Sequence, residues 1–266
     1  MYKIAVIGAG NIGQAFAKGV LYSNAINLEN VYLTKKNLKS LYFFQDKGFN
    51  VTNDNKLAVE NSDIILIAVR PAQMDAILEE IRPFIDPARH IIVSIVTGYT
   101  IKSIKHKVGE EIPVVRIMSN TALSICKAVT CISANAEDQK ARNVIEELFK
   151  IFGEVAIIEE DNMVSATILV ACGIAYFLRI IRATSQGGIQ IGFHSAEAIK
   201  LAAATARGAA ELILNSDSHP EEEIDKVTTP KGVTIEGLNQ MEHAGLSSAI
   251  IKGIVASYNK SQEFLK

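Results

Sequence analysis

The chain has 266 residues, 48% of them hydrophobic and 21% charged, enough apolar material for one large domain or two smaller ones. A formal net charge of −2 removes the electrostatic case for a nucleic-acid partner or an anionic membrane surface. Three cysteines, Cys126, Cys131 and Cys172, show no metal or redox spacing and read as small buried hydrophobes in a reducing compartment.

Lys3–Ile7 is a short run of buried-strand type. Gly8-Ala9-Gly10-Asn11-Ile12-Gly13 follows directly and leads into a helix over Gln14–Val20. A strand, then G-x-G-x-x-G, then a helix is the context in which this motif means dinucleotide binding. Gly8 permits the tight turn, Gly10 lets backbone approach a pyrophosphate, and Gly13 lets the helix lie close on the strand. Free N–H groups and the positive end of the helix dipole bind phosphates there without a basic side chain.

Asn30–Thr34 reads as a second strand, followed by Lys35-Lys36-Asn37. An acidic residue at this position bonds the ribose hydroxyls of NAD, whereas basic or small polar groups accept the extra phosphate of NADP. Thr34, Lys35 and Lys36, with no carboxylate among them, favour NADP, NAD being the alternative. A helix over Lys39–Lys47, a short strand Phe49–Val51 and the turn cluster Thr52–Asn55 come next, then a helix from Lys56. Asp63–Val69 is a continuous apolar run, as expected of a parallel strand covered on both faces. It ends in Arg70-Pro71, where proline starts a helix over Ala72–Ile81. The C-terminal ends of such strands line the ligand crevice, which points Ala68–Pro71 at the nicotinamide half of the cofactor.

Strand His90–Val96, helix Ile101–Val108, strand Pro113–Met118, helix Ala136–Phe152 and strand Glu154–Ile158 continue the alternation. The pattern predicts an α/β dinucleotide-binding domain over residues 1–160, built on a doubly wound parallel sheet. Ser119-Asn120-Thr121 is either a site loop or a polar strand end.

After Glu160 the pattern is all-α, giving a second domain over residues 161–266. Its helices are expected at Asn162–Gly187, Ser195–Asn215, Pro220–Lys226, Thr234–His243 and Ser247–Leu265, with Asp161 or Asn162, Ser195 and Ser247 as N-caps. The apolar stretch Ala166–Leu178 is about thirteen residues long. A bilayer span needs roughly twenty, so it reads as a buried core helix. With no signal peptide visible, a soluble cytoplasmic protein with no membrane partner is expected. Helices without a clear polar face must be covered on every side, and so short a domain predicts an obligate homodimer through these helices. The histidines His90, His106, His194, His219 and His243 are dispersed, and no metal site is expected.

The segment Ile224–Glu242, IDKVTTPKGVTIEGLNQME, resembles the signature of the pyrroline-5-carboxylate reductase family, in which a Val-Thr/Ser-Ser-Pro-Gly-Gly-x-Thr stretch leads into a helix. VIGAGNIG, AVRPAQM, RIMSNTA, FGEVAIIEEDNM and HPEEEIDKVT support the resemblance, which runs from Ile4 to about Glu263. It implies a dinucleotide-binding domain, a helical dimerisation domain with helices interleaved between subunits, and often a ring of dimers. The implied reaction is hydride transfer from a reduced nicotinamide to the C=N carbon of 1-pyrroline-5-carboxylate, giving L-proline. By match with the family, cofactor contacts fall on Gly8, Gly10, Asn11, Ile12, Thr34, Lys35, Asn55, Ala68, Arg70 and Pro71. Asn55 lies on the adenosine side. Substrate contacts fall on Asn120, Thr229, Lys231, Gly232, Val233 and Thr234, with Thr234 beside the ring nitrogen as the catalytic residue.

The loop before Thr234 ends on a helix N-terminus whose N–H groups make a seat for a carboxylate. On the residues alone, Thr234 is equally a plain N-cap. An iminium accepts hydride readily, so the site needs positioning more than a strong acid, in keeping with the absence of a catalytic triad or paired carboxylates. Three stretches depart from the family pattern. Val170-Ala171-Cys172-Gly173-Ile174-Ala175-Tyr176 replaces Ser-Gly-Ser-Gly-Pro-Ala-Tyr, and Met118-Ser119-Asn120-Thr121-Ala122 replaces Met-Pro/Thr-Asn-Thr-Pro. Lys231 replaces a glycine, which implies a negative φ there or a shifted loop. Competing readings are an imine or hydroxyacid reductase of the same plan and a catalytically silent NADP(H)-binding paralogue. Against carbonyl reduction, the helix Asn162–Gly187 carries Arg179 and Arg182 but no lysine.

Overall fold

Ile4, Ala5, Val6 and Ile7 are all buried, because the strand they form is covered on both faces. Ile4 and Val6 point into one apolar layer, with Phe16, Phe149 and Phe152. Ala5 and Ile7 point into the other, with Val59, Met74, Leu78 and Ile104. That two-sided burial is what a doubly wound sheet demands of a central strand. The computed structural model of the chain describes residues 2–262.

Two compact units make up the molecule. The first spans residues 2–172 together with Ser261 and Gln262, and the second is Gly173–Lys260. The first unit contains, in order, β1 (Ile4–Ile7), α1 (Asn11–Ser23), β2 (Val31–Thr34), α2 (Tyr42–Asp46), β3 (Asn50–Thr52), α3 (Asn55–Glu60) and β4 (Ile64–Ile67). It continues with α4 (Met74–Ile81), β5 (Ile91–Ser94), α5 (Ile101–Val108), β6 (Val114–Met118), β7 (Ala128–Ala134), α6 (Gln139–Lys150), β8 (Gly153–Ile157) and α7 (Met163–Ala166). The strands form one sheet in the order β3-β2-β1-β4-β5-β6-β7-β8. Its first six strands run parallel, in the arrangement of a dinucleotide-binding fold.

The far edge corrects the expected all-parallel alternation. β7 runs antiparallel to β6, with Arg116 opposite Ser133, and β8 pairs with β7 in parallel. A 3₁₀ turn over Thr121–Ile125 makes the reversal. The sequence hides β7 because its buried positions include Thr130 and Ser133. Thr130 Oγ1 lies 2.9 Å from Ser119 Oγ, so the polar groups are paired inside the sheet.

The expected single helix over Asn162–Gly187 is instead a 3₁₀ turn (Glu160–Asn162), α7, a π-helical turn (Thr167–Cys172) and α8 (Gly173–Gln190). The π turn overlaps, over Val170–Cys172, the start of the stretch that departs from the family pattern. The second unit continues with α9 (Ser195–Leu214), α10 (Pro220–Val227), α11 (Val233–His243) and α12 (Leu246–Gln262). Positions 263–265 of the last expected helix, and Glu263 at the end of the resemblance, lie outside the described residues.

The expected caps are corrected too. No side chain caps the start at Asn162, and Ser195 follows its N-cap, His194, which makes no side-chain bond. Ser247 sits inside α12, its hydroxyl donating to Glu242 Oε1 at 2.7 Å. His219 does cap α10: its Nδ1 accepts the Glu221 N–H while Glu222 accepts the His219 N–H, each at 3.3 Å.

Glu160–Gln190 is the one helical run among the described residues long and apolar enough to cross a membrane. Within the stretch expected to be a buried core helix, Ala166–Leu178, Ala166, Ile168 and Gly173 are buried in the single chain and Leu169, Ala175, Phe177 and Leu178 are exposed. Leu169 and Phe177 are each 65% exposed.

Candidate active site

At the C-terminal edge of β1, Gly8 adopts φ +87, a left-handed conformation that suits glycine. A side chain there would strike Val69 and come within 3.2 Å of the Ala68 carbonyl oxygen. Gly10 is the N-cap of α1 and makes no side-chain cap bond, so Asn11 and Ile12 open the helix with their amides toward the turn. A Cβ on Gly10 would find only the Gly8 carbonyl oxygen, 3.9 Å away. On Gly13 it would lie 3.0 Å from Val6 Cγ1, which is the close helix–strand approach the motif requires.

Thr34 ends β2 and is 1% exposed. Its hydroxyl accepts the Gly8 N–H at 3.2 Å and donates to Asn55 Oδ1 at 2.6 Å, while its carbonyl accepts the Ala9 N–H at 2.7 Å. Asn55 Nδ2 passes the chain on to Glu80 Oε1 at 3.0 Å. The structure therefore joins Gly8, Thr34 and Asn55 in one network beneath the phosphate turn. Lys35 follows, half-buried, its Nζ donating to Ser40 Oγ at 2.8 Å.

Ala68 lies just past β4, its N–H bonded to the Ile7 carbonyl at 2.8 Å. Arg70 and Pro71 open a short 3₁₀ turn in which Gln73 Oε1 accepts both the N–H and Nε–H of Arg70, each at 3.3 Å. All ten expected cofactor residues thus stand along the C-terminal edge of β3, β2, β1 and β4 or in the turns and helix starts that follow it. Sequence reasoning missed Gln73 and Ser40. Gln73 had only a weak local signal, a glutamine three residues after the N-cap of a turn opened by Pro71. Ser40 had no local signal, since only the fold of the loop after β2 returns it to Lys35.

Asn120 sits at the end of β6. Its Oδ1 accepts the Ala122 N–H at 3.0 Å and its Nδ2 reaches the Val170 carbonyl at 3.4 Å. A separate apolar recess of about 540 Å³, lined by Tyr2, Ile4, Ile26, Val144, Leu148 and Ile151, opens at the N-terminal end of β1. That is the edge opposite the one at which such folds bind ligands.

The remaining expected residues belong to the second unit. Thr229 to Gly232 form a turn closed by the Gly232 N–H on the Thr229 carbonyl at 2.9 Å. Lys231 takes φ +61, which overturns the negative φ expected from its replacing a glycine. Pro230 before a positive φ is the signature of a type II turn. Gly232 is the N-cap of α11 and provides no side-chain cap, so Thr234 is the second residue of the helix and not its cap. Among the described residues, the N-cap of α11 offers its first-turn amides no side-chain cap. Val233, beside them, is 91% exposed. Such an end accepts an anion, and a planar carboxylate fits it. Among the described residues no group of three or more His, Cys, Asp or Glu side chains is placed to hold a metal ion.

The chain is similar to known proteins along nearly its whole length. A family model described as pyrroline-5-carboxylate reductase dimerisation matches residues 160–264, and one described as NADP oxidoreductase, coenzyme F420-dependent, matches residues 3–98. Pyrroline-5-carboxylate reductase 2 of Dictyostelium discoideum is 45% identical over 98% of this chain and 92% of its own length. Pyrroline-5-carboxylate reductase 1 of the same organism is 44% identical over 97% of this chain, which spans about half, 49%, of that relative. A crystal structure of the Plasmodium falciparum pyrroline carboxylate reductase with NADP bound superposes with a TM-score of 0.87 at 25% identity, covering 100% of this chain and 98% of that one.

Proposed function

Because the chain belongs to the pyrroline-5-carboxylate reductase family, we propose that it reduces 1-pyrroline-5-carboxylate to L-proline at the expense of NADPH. The observation that carries this reading is the near full-length match at 45% identity, joined to an uncapped α11 start that retains its turn. Residues 1–160 serve as the dinucleotide-binding domain and 161–266 as the dimerisation and substrate domain.

The amides of Asn11 and Ile12 would hold the pyrophosphate, beside the turn that Gly8 and the Thr34 hydroxyl fix. Lys35, steadied by Ser40, supplies positive charge where the adenosine 2′-phosphate of NADP lies. Ala68, Arg70 and Pro71 border the nicotinamide half. The substrate carboxylate takes the amides at the start of α11, and the Thr234 hydroxyl bonds the ring nitrogen. The reduced nicotinamide would supply hydride to the C=N carbon of the protonated imine, whose nitrogen would keep its proton beside the Thr234 hydroxyl. Holding two flat rings face to face supplies most of the acceleration in such a reaction.

The exposed apolar helices of the second unit are covered by a second copy of the chain, which matches the dimerisation description of residues 160–264. We assign Glu160–Gln190 to that interface, since Arg179 and Arg182 interrupt its apolar surface. A ring of dimers and a cytoplasmic location complete the proposal.

The test is loss of NADPH absorbance with 1-pyrroline-5-carboxylate and recovery of proline, in the wild type and in Thr234→Ala. Turnover by the wild type, with kcat reduced about tenfold to a hundredfold in the variant, is the expected result. Tight NADPH binding without turnover would identify a silent paralogue, and turnover of a β-hydroxyacid instead would identify the hydroxyacid reading.

A further inference from the structure

The mechanism above gives no task to Arg116, a cation 5% exposed within β6. Its Nη1 donates to Glu160 Oε1 at 2.8 Å. The same oxygen accepts the Ile101 N–H at 2.7 Å, and Ile101 is the first residue of α5. That amide is one of those a helix start leaves unpaired, while Thr100 Oγ1 accepts the Ser103 N–H at 3.0 Å. A carboxylate between a guanidinium and a helix N-terminus is attracted from both sides. Glu160 therefore fixes the start of α5 against β6.

The start of α5 anchors the segment leaving the C-terminal end of β5, residues 95–100, which turns on Gly98 at φ +86. In this strand order the half made of β4, β5 and β6 takes the nicotinamide, and the half made of β1, β2 and β3 takes the adenosine. Holding β5–α5 in register thus sets the floor under the reacting ring, whereas the pyrophosphate contacts belong to the turn after β1. Displacing a hydride donor by about an ångström costs rate far more than it costs affinity.

We propose that Glu160, fixed by Arg116, is a positioning residue that sets the Thr97–Thr100 loop beneath the nicotinamide. This rests on the reductase reading above. Glu160→Gln retains an acceptor for the Ile101 N–H and a polar partner for Arg116; Glu160→Ala retains neither. Glu160→Ala is expected to lower kcat about tenfold or more while the KM for NADPH stays within about twofold. Hydrogen exchange across residues 97–104 should accelerate in the same variant, and Glu160→Gln should restore most of both.

Wild-type kcat per folded enzyme in Glu160→Ala would overturn the proposal. So would a KM for NADPH that rises as kcat falls, or unchanged exchange over 97–104. If Glu160→Ala does not fold, Arg116→Lys decides by the same two readouts, slower turnover with faster exchange supporting and wild-type values overturning. The exchange measurement needs no turnover. An inactive wild type would therefore sink the reductase reading, while normal exchange in the variants would sink the clamp.

Discussion

At Lys231 the backbone takes φ +61 with a full side chain attached, a conformation that costs an L-residue about 1–2 kcal/mol. The steric rule that glycine marks positive φ pointed the other way at this position. It failed because Pro230 and the Gly232–Thr229 hydrogen bond set the turn from both sides, and the local penalty is smaller than the cost of opening it. Thr34 teaches a related lesson. Its place at the end of β2 was legible as a cofactor-selecting position, but not that its hydroxyl turns inward to Gly8 and Asn55. Side-chain direction at a strand end depends on the loops around it, and no short-range pattern records it. Lys35 is the residue through which selectivity is tested. Lys35→Glu places a carboxylate where the 2′-phosphate would lie, removing a charge-assisted bond of about 1.5–3 kcal/mol and adding repulsion. The KM for NADPH should rise about tenfold to a hundredfold or more, while that for NADH changes little, as steady-state kinetics with both cofactors will show.

Among the elements, β1 and β4 were legible because buried parallel strands are apolar throughout, whereas β3 is half-buried Asn-Val-Thr and lies one residue later than expected. β7 was not legible, because its buried positions include Thr130 and Ser133, and the pairing of Thr130 with Ser119 inside the sheet is one that periodicity cannot register. Polar groups also join elements elsewhere in the first unit. Lys105 of α5 is 4% exposed and its Nζ lies 3.0 Å from Asp138 Oδ2, which also accepts the Val114 N–H at 3.2 Å. Lys105→Met would strand that carboxylate, and urea unfolding should show a loss of about 3–5 kcal/mol. His90 offers a pH test. Burial pushes its imidazole pKa down, the Arg89 charge adds to this, and the Val59 and Ser62 carbonyls and Asp86 oppose it. Its Nδ1 accepts the Asp86 N–H at 2.8 Å, which requires the neutral ring. With the folded pKa depressed, this contribution to stability is full above about pH 6.5 and is lost as pH falls through the folded value. His90→Asn should flatten the fall in unfolding free energy between about pH 7 and pH 5, read as the difference from wild type.

For the molecule as a whole, the two units differ in what holds them. The first has apolar layers on both faces of its sheet, while in the second the buried hydrophobic side chains are Ala198 and Ala202 among the described residues. That imbalance was readable from sequence as alanine-rich, all-round apolar helices. If a second copy supplies the cover, thermal unfolding will depend on protein concentration. Phe177→Asp should then weaken association by about 3 kcal/mol or more in sedimentation equilibrium. Partition of the wild type into lipid vesicles without dimerisation would instead assign Glu160–Gln190 to a bilayer.

Two glycines three positions or fewer apart in the same motif have opposite tolerances. A methyl group on Gly8 collides with Val69 and forces an L-residue to φ +87, so Gly8→Ala should damage the fold itself. A methyl group on Gly10 projects into empty space, the volume a pyrophosphate would fill. Gly10→Ala should therefore melt like the parent and assemble like it, yet fail to take up NADPH by fluorescence titration. The chain thus contains a ready-made separation of architecture from chemistry: a silent but intact subunit that, mixed with active ones, would report whether neighbouring sites work independently.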